Sequence, residues 1–236
     1  MMNKLLGIIF PRKCVGCGAS AAHFDDVFCD ECRVLYERMK SVYCTRCGKF
    51  QDLCRCGPDK PSSDVSRYIH LIEYSSPISR SIIFTLKDKN IKALRIFLAE
   101  ELSNALIAAG NETDGTYITY APRSRERLTK FGFDQSRELA KFIASDLHLR
   151  PVTLFARRGG KLQKHLGRQS RMVNAAYSFL PATDERFDGK RLIIVDDVVT
   201  SGGTTSALAA LARQMGFSDV TVLFVAQTPL KLADRA

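Results

Sequence analysis

Leu192-Ile193-Ile194-Val195-Asp196-Asp197-Val198-Val199-Thr200-Ser201-Gly202-Gly203-Thr204-Thr205 passes from aliphatics through two acids into a loop of small residues. The four aliphatics suffice for one buried strand of a parallel sheet, and Ala207, Leu208, Leu211 and Met215 follow at helical spacing. At such a strand-to-helix junction, Gly202 and Gly203 let the backbone turn sharply toward a ligand. The first N–H groups of the helix lack internal partners and carry partial positive charge, which suits a phosphate. Asp196 and Asp197 fall at the carboxyl end of the strand, where open α/β sheets bind ligands, and can accept bonds from vicinal hydroxyls. The chemistry expected is a grip on a phosphorylated sugar. An Asp-Asp turn before a capped helix, with no ligand, is the plainer alternative.

All eight cysteines lie between Cys14 and Cys56, as Cys14-x2-Cys17, Cys29-x2-Cys32, Cys44-x2-Cys47 and Cys54-x-Cys56. A pair with two residues between its members bites one tetrahedral ion and a second pair closes the shell, so four pairs predict two structural zinc sites. Metal binding would then supply much of the folding free energy of a segment too short to bury a core. Cys54-x-Cys56 is tighter than the usual knuckle, and without it one zinc remains. Sequential pairing (Cys14, Cys17, Cys29, Cys32, then Cys44, Cys47, Cys54, Cys56) is the simplest, with an interleaved arrangement as the alternative. Thiolate ligation rather than disulfides suits a reducing cytosol. The opening Met1 to Phe10 is apolar for too short a run to be a signal peptide, and a basic Pro-Arg-Lys follows it. No run approaches membrane-spanning length, so the expectation is a cytoplasmic protein that does not insert into a membrane.

The elements that must position these residues can be read from periodicity. At 236 residues and 45% hydrophobic content the chain can hold a medium domain plus a small one. Gly57-Pro58-Asp59-Lys60-Pro61-Ser62-Ser63-Asp64 reads as a linker, dividing a Cys-rich domain (1–60) from the rest (61–236). Residues 65–74 alternate as a strand, and Pro77 opens a helix through Ile78, Ile82, Ile83 and Leu86. A second helix is expected over Ala93 to Ala109, a strand over Thr116 to Ala121, a helix through Leu139, Phe142, Ile143 and Leu147, and a strand over Val152 to Phe155. With Leu192 to Val195 and Val220 to Val225, strands and helices alternate, which predicts an α/β fold with a mostly parallel sheet and helices on both faces.

Charge is uneven. The chain carries a net +10, and residues 121–172 hold thirteen Lys/Arg against four Asp/Glu. Such a segment suits a diphosphate with magnesium or a polyphosphate backbone, and a solvated basic face is the bland alternative. Arg157 to Gln169, with Gly159-Gly160, reads either as a lid over a reacting sugar or as a surface loop. His165 within it is a solvated loop residue before it is a base. Phe131 and Phe133 could stack a base, though burial in the core is the commoner fate of such rings.

Two acids followed by Thr-Ser-Gly-Gly-Thr after an apolar strand resemble the signature of type I phosphoribosyltransferases, which bind 5-phosphoribosyl-1-pyrophosphate (PRPP). Over most of the chain the match is narrower. The paired cysteines, Thr85-Leu86-Lys87, Ala121-Pro122 with its arginines, Gly132-Phe133-Asp134-Gln135, then Gln163, Arg171 and Asn174, and the Asp-Asp loop together resemble the ComF/GntX family. Its members join a double zinc ribbon to a Rossmann-like phosphoribosyltransferase domain and are associated with DNA uptake in natural transformation. The family's Arg-Gly-Phe-Asn-Gln is Phe131-Gly132-Phe133-Asp134-Gln135 here, and Lys130 stands one position from the missing arginine.

The resemblance implies Asp196 and Asp197 on the ribose hydroxyls and Thr200, Ser201, Gly202, Gly203 and Thr204 around the 5-phosphate. It also implies Ala121, Pro122, Arg123 and Ser124 with Lys87 facing pyrophosphate, and magnesium bridging pyrophosphate and ribose oxygens. Two functions follow: a competence factor that binds PRPP, single-stranded DNA and other DNA-uptake proteins, or an active phosphoribosyltransferase of nucleotide or base metabolism with an unknown acceptor. A purine salvage transferase carrying an incidental zinc module fits less well, since no aromatic hood for a base is legible.

Overall fold

The computed structural model describes residues 13–20, 27–40, 56–58, 61–111, 113–158 and 178–229. Five strands form one parallel sheet in the order β1 (Arg67–Glu73), β7 (Asp219–Gln227), β6 (Arg191–Val199), β2 (Tyr117–Tyr120), β3 (Arg150–Pro151). Central β6 pairs with β2 from Tyr117↔Leu192 to Tyr120↔Val195 and with β7 from Arg191↔Asp219 to Val199↔Gln227. Because successive side chains point to opposite faces, the β6 run must be apolar throughout to be covered on both. Ile193 and Val195 join a cluster with Ile82, Leu86, Leu98, Leu102, Leu139 and Ile143, from α2 (Pro77–Asp88), α3 (Lys92–Ala108) and α5 (Gln135–Asp146). Leu192 and Ile194 join a second cluster with Leu208 and Ala212 of α6 (Gly203–Gln214). The expected α/β sheet with helices on both faces is thus the observed one.

Local signals set most boundaries. Ser76 caps α2 reciprocally with Ser79 while Pro77 takes the first helical position, where its missing N–H is no loss. Val152 to Phe155 differs from expectation: the edge strand β3 is Arg150–Pro151, with a last bond to β2 from the Val152 N–H to Ile118 O at 2.9 Å, and Pro151 is tolerated because an edge residue can lack a donor on its outer side. Phe155–Arg157 (β4) instead leaves the sheet to pair antiparallel with Phe179–Pro181 (β5).

Two helices went unanticipated. In α1 (Asp30–Lys40), Cys32 and Tyr36 face inward at an i, i+4 spacing. In α4 (Arg125–Phe131) no residue is buried, and the segment is held by its ends: Ser124 caps it and Gly132 closes it at φ +75°.

The cysteine-rich segment packs on the α/β core. Phe28 and Tyr36 stack at 5.4 Å and both meet Phe97 of α3 edge-on, at 5.5 and 5.2 Å. Glu101 of α3 accepts from the Tyr36 hydroxyl at 3.1 Å and pairs with Lys40 at 2.5 Å. Among the described residues, no helix is long and apolar enough to cross a membrane.

Candidate functional site

Strand β6 runs through both acids to Val199, so Asp196 and Asp197, its sixth and seventh residues, lie within it rather than beyond it. Alternation sends them to opposite faces, Asp197 with Ile193 and Val195 toward α2 and α5. There Asp197 is buried and well partnered: Lys87, in the last turn of α2, pairs with Oδ1 at 3.3 Å, and the Gln135 amide donates to Oδ2 at 2.5 Å. The Val198 N–H donates to Oδ1 at 2.6 Å. Asp196, half-buried on the other face, accepts the Asp197 N–H at 2.8 Å. Loss of hydration, reinforced by the neighbouring Asp197 charge, pushes the Asp196 carboxyl up to about 8.

Beyond Val199 the chain enters the small-residue loop. Thr200 is exposed, Ser201 and Thr204 are half-buried, and Gly202 turns at φ +78° to start α6 at Gly203. That φ is one an L side chain rarely adopts. No side chain caps the helix, and because α6 starts directly after the loop that leaves β6, its leading N–H groups lie at the same end of the sheet as the two carboxylates.

A third segment meets them from β2. The Ala121 N–H donates to Val195 O at 2.9 Å, which brings Pro122, Arg123 and Ser124 beside the carboxyl end of β6. Here Arg123 turns inward. Its guanidinium donates to Lys87 O at 2.8 Å and Phe133 O at 3.1 Å, under the Phe131 ring at 4.5 Å. Its own N–H donates to Asp134 Oδ2 at 2.8 Å, while Asp134 Oδ1 accepts from Arg137 N–H at 3.2 Å and caps α5. Arg123 and Asp134 therefore fasten the end of α2, the loop after β2 and the start of α5 around Asp197.

Asp134 and Gln135 act here as ties, roles that sequence reasoning did not assign them. The N-cap signal for Asp134 was present, an acid just ahead of the pattern at Leu139 and Ile143. Of the two phenylalanines, Phe133 is buried and Phe131 half-buried. Gln163, Lys164, His165, Arg168, Arg171 and Asn174, with all of the proposed lid but Arg157 and Arg158, lie outside the described residues.

The thiols of Cys14, Cys17, Cys29 and Cys32 all lie within 4.8 Å of one another, a four-sulfur cluster that fits a tetrahedral zinc ion and matches the sequential pairing of the first two knuckles. A Cβ at Gly16 would come within 2.7 Å of Cys32 Sγ, so the first knuckle needs glycine there. Burial opposes ionisation of Cys14, yet hydrogen bonds from the backbone of Cys29, Cys17 and Gly16 bring it down to about 7. Burial pushes Cys32 up. Cys56 is half-buried, and Cys44, Cys47 and Cys54 lie outside the described residues.

No protein-family profile matches the chain. Competence protein F of Haemophilus influenzae is 24% identical over 94% of this chain and 97% of its own length. DNA utilization protein YhgH of Escherichia coli is 27% identical over 69% of this chain and 72% of its own. Among solved structures, adenine phosphoribosyltransferase from Saccharomyces cerevisiae aligns with 58% of this chain and 70% of its own at 24% identity and a TM-score of 0.38. The chain joins a parallel α/β sheet to a cysteine cluster, and its similarity to competence protein F and DNA utilization protein YhgH holds along most of its length.

Proposed function

We propose that this chain is a PRPP-binding, phosphoribosyltransferase-like protein with zinc ribbons that acts in DNA uptake by binding single-stranded DNA in the cytoplasm. The observation that carries the reading is the convergence at the carboxyl end of β6: two carboxylates, an uncapped helix start and the loop after β2 gather at one end of the sheet. Asp196 and Asp197 take the ribose hydroxyls, and Thr200, Ser201, Gly202, Gly203 and Thr204 take the 5-phosphate. Pro122 and Lys87 face pyrophosphate, while Arg123 keeps that loop in place. Magnesium fits as a companion of the ligand, since Asp196 is partly desolvated and, among the described residues, forms no direct ion pair, whereas Asp197 is paired with Lys87. Residues 1–60 form the zinc-binding domain and 61–236 the PRPP-binding one. The role in DNA handling is supported by the names of the two relatives, the chain's net charge of +10 and its basic middle segment.

Isothermal calorimetry of PRPP with magnesium tests the pocket. Wild type should bind, and Asp196→Ala with Asp197→Ala should weaken binding at least tenfold, because hydrogen bonds to charged groups contribute about 1.5–3 kcal/mol each. Equal heats from both proteins would remove the assignment. Release of pyrophosphate in the presence of bases, nucleotides or DNA would add turnover to binding.

A further inference from the structure

Between the last turns of α2 and helix α4, beside the carboxylate pair, lies a groove of about 450 Å³. Tyr74, Phe84 and Phe131 give it aromatic walls, and Lys87, Arg127 and Lys130 give it cations. Asp88 and Glu126 also border it. Lys87 is engaged with Asp197 at 3.3 Å and Asp88 lies 4.0 Å from the Arg123 guanidinium, so the charges that face a visitor are chiefly those of Arg127 and Lys130 against Glu126.

Phe84 is the unusual member. It is 57% exposed in a helix whose Ile82, Ile83 and Leu86 are buried, and it makes no ring contact among the described residues. Phe131 is different, since Arg123 lies over its ring at 4.5 Å. The opposite wall, α4, buries nothing of its own. An aromatic platform left in water beside two cations is what a heterocyclic base with an attached phosphate requires: stacking for the ring, charge for the phosphate. A purely apolar partner would leave Arg127, Lys130 and Glu126 desolvated without compensation.

We infer that this groove is a nucleotide subsite, in which a base stacks on Phe84 against Tyr74 and its phosphate is held by Arg127 and Lys130. The inference rests on the reading of the chain as a single-strand binder and gives that strand a place. It further sets the base next to Lys87, and so next to the carboxylates that would hold the pentose.

Fluorescence anisotropy with a labelled oligothymidylate of about fifteen nucleotides tests it. Phe84→Ala should weaken binding roughly tenfold, the loss expected for one stacked base. Arg127→Glu with Lys130→Glu should weaken it as much and flatten its salt dependence. Ile107→Ala, at a residue 56% exposed on α3 and outside the groove, should change nothing. Unaltered melting and unaltered PRPP heats in Phe84→Ala establish that the fold is intact. Competition by free dTMP in wild type, lost in Phe84→Ala, assigns the subsite to a single nucleotide. Loss of oligonucleotide binding without such competition assigns it to a strand. Groove variants that bind the strand like wild type overturn the inference while leaving DNA binding in place. Failure of wild type to bind either probe overturns both, and failure with PRPP alone removes only the phosphoribose reading.

Discussion

Arg123 is cationic, sits in the most basic part of the chain and would pass for a surface residue, yet it is 8% exposed and hydrogen-bonded to two backbone carbonyls between two phenylalanine rings. Arg123→Ala leaves those carbonyls without a donor and opens a hole against Phe131, so a loss of about 3 kcal/mol is expected in urea unfolding. Arg123→Lys should recover little, because a single ammonium cannot reach both carbonyls in the guanidinium's planar geometry. Asp196 makes the opposite contribution. Its carboxyl holds a proton up to about 8 in the folded chain against an ordinary value of 3.8, so between those values the native state binds more protons than the unfolded one. Its contribution to stability is thus present below the lower value and is lost as pH rises toward 8. Melting temperatures of the ligand-free protein should reflect that decline, and Asp196→Asn should flatten it. Parallel pH profiles for the two proteins would contradict the raised carboxyl. The acids themselves were legible in the sequence, whereas the inward turn of Arg123 was not: its burial depends on Phe131, Phe133 and the end of α2 arriving from other parts of the chain.

Elements whose apolar spacing matches one period were read within a residue or two. The helix expected over Ala93 to Ala109 is Lys92–Ala108, and the strand expected over Thr116 to Ala121 is Tyr117–Tyr120. Helix α4 escaped because a segment with no buried face has no hydrophobic period to detect. Helix α1 escaped for another reason, since its inward stripe includes a cysteine that also belongs to the metal knuckles. That double membership couples metal to docking. Removing zinc with a chelator should loosen α1 and expose Tyr36, which tyrosine fluorescence can follow because the chain has no Trp. Native mass spectrometry should register one fewer zinc in Cys14→Ser. Phe28→Ala, which leaves the thiols untouched but empties the ring cluster, should cost about 3 kcal/mol with the metal content unchanged.

Over the whole molecule, the parallel order β1-β7-β6-β2-β3 brings residues far apart in sequence to the carboxyl end of the central strand: Lys87, Arg123, Gln135 and Asp197 meet although the outer two are more than a hundred positions apart. Sequence signals gave the layers and the strand-loop-helix junction at Thr200 to Thr204 because each is a local pattern. They did not give the groove beside Phe84, which exists only once α2 and α4 face each other. Charge also acts at this scale. If the strand is held through about two phosphate contacts, its affinity should fall roughly tenfold between 50 and 200 mM salt, and invariance over that range would argue against a phosphate-based grip. Helix α4 has one more consequence. Since none of its residues supports the interior, positions 125–130 are free to drift during evolution or in a randomised library without loss of solubility or fold. Such variants should emerge well behaved, differing chiefly in what they grasp.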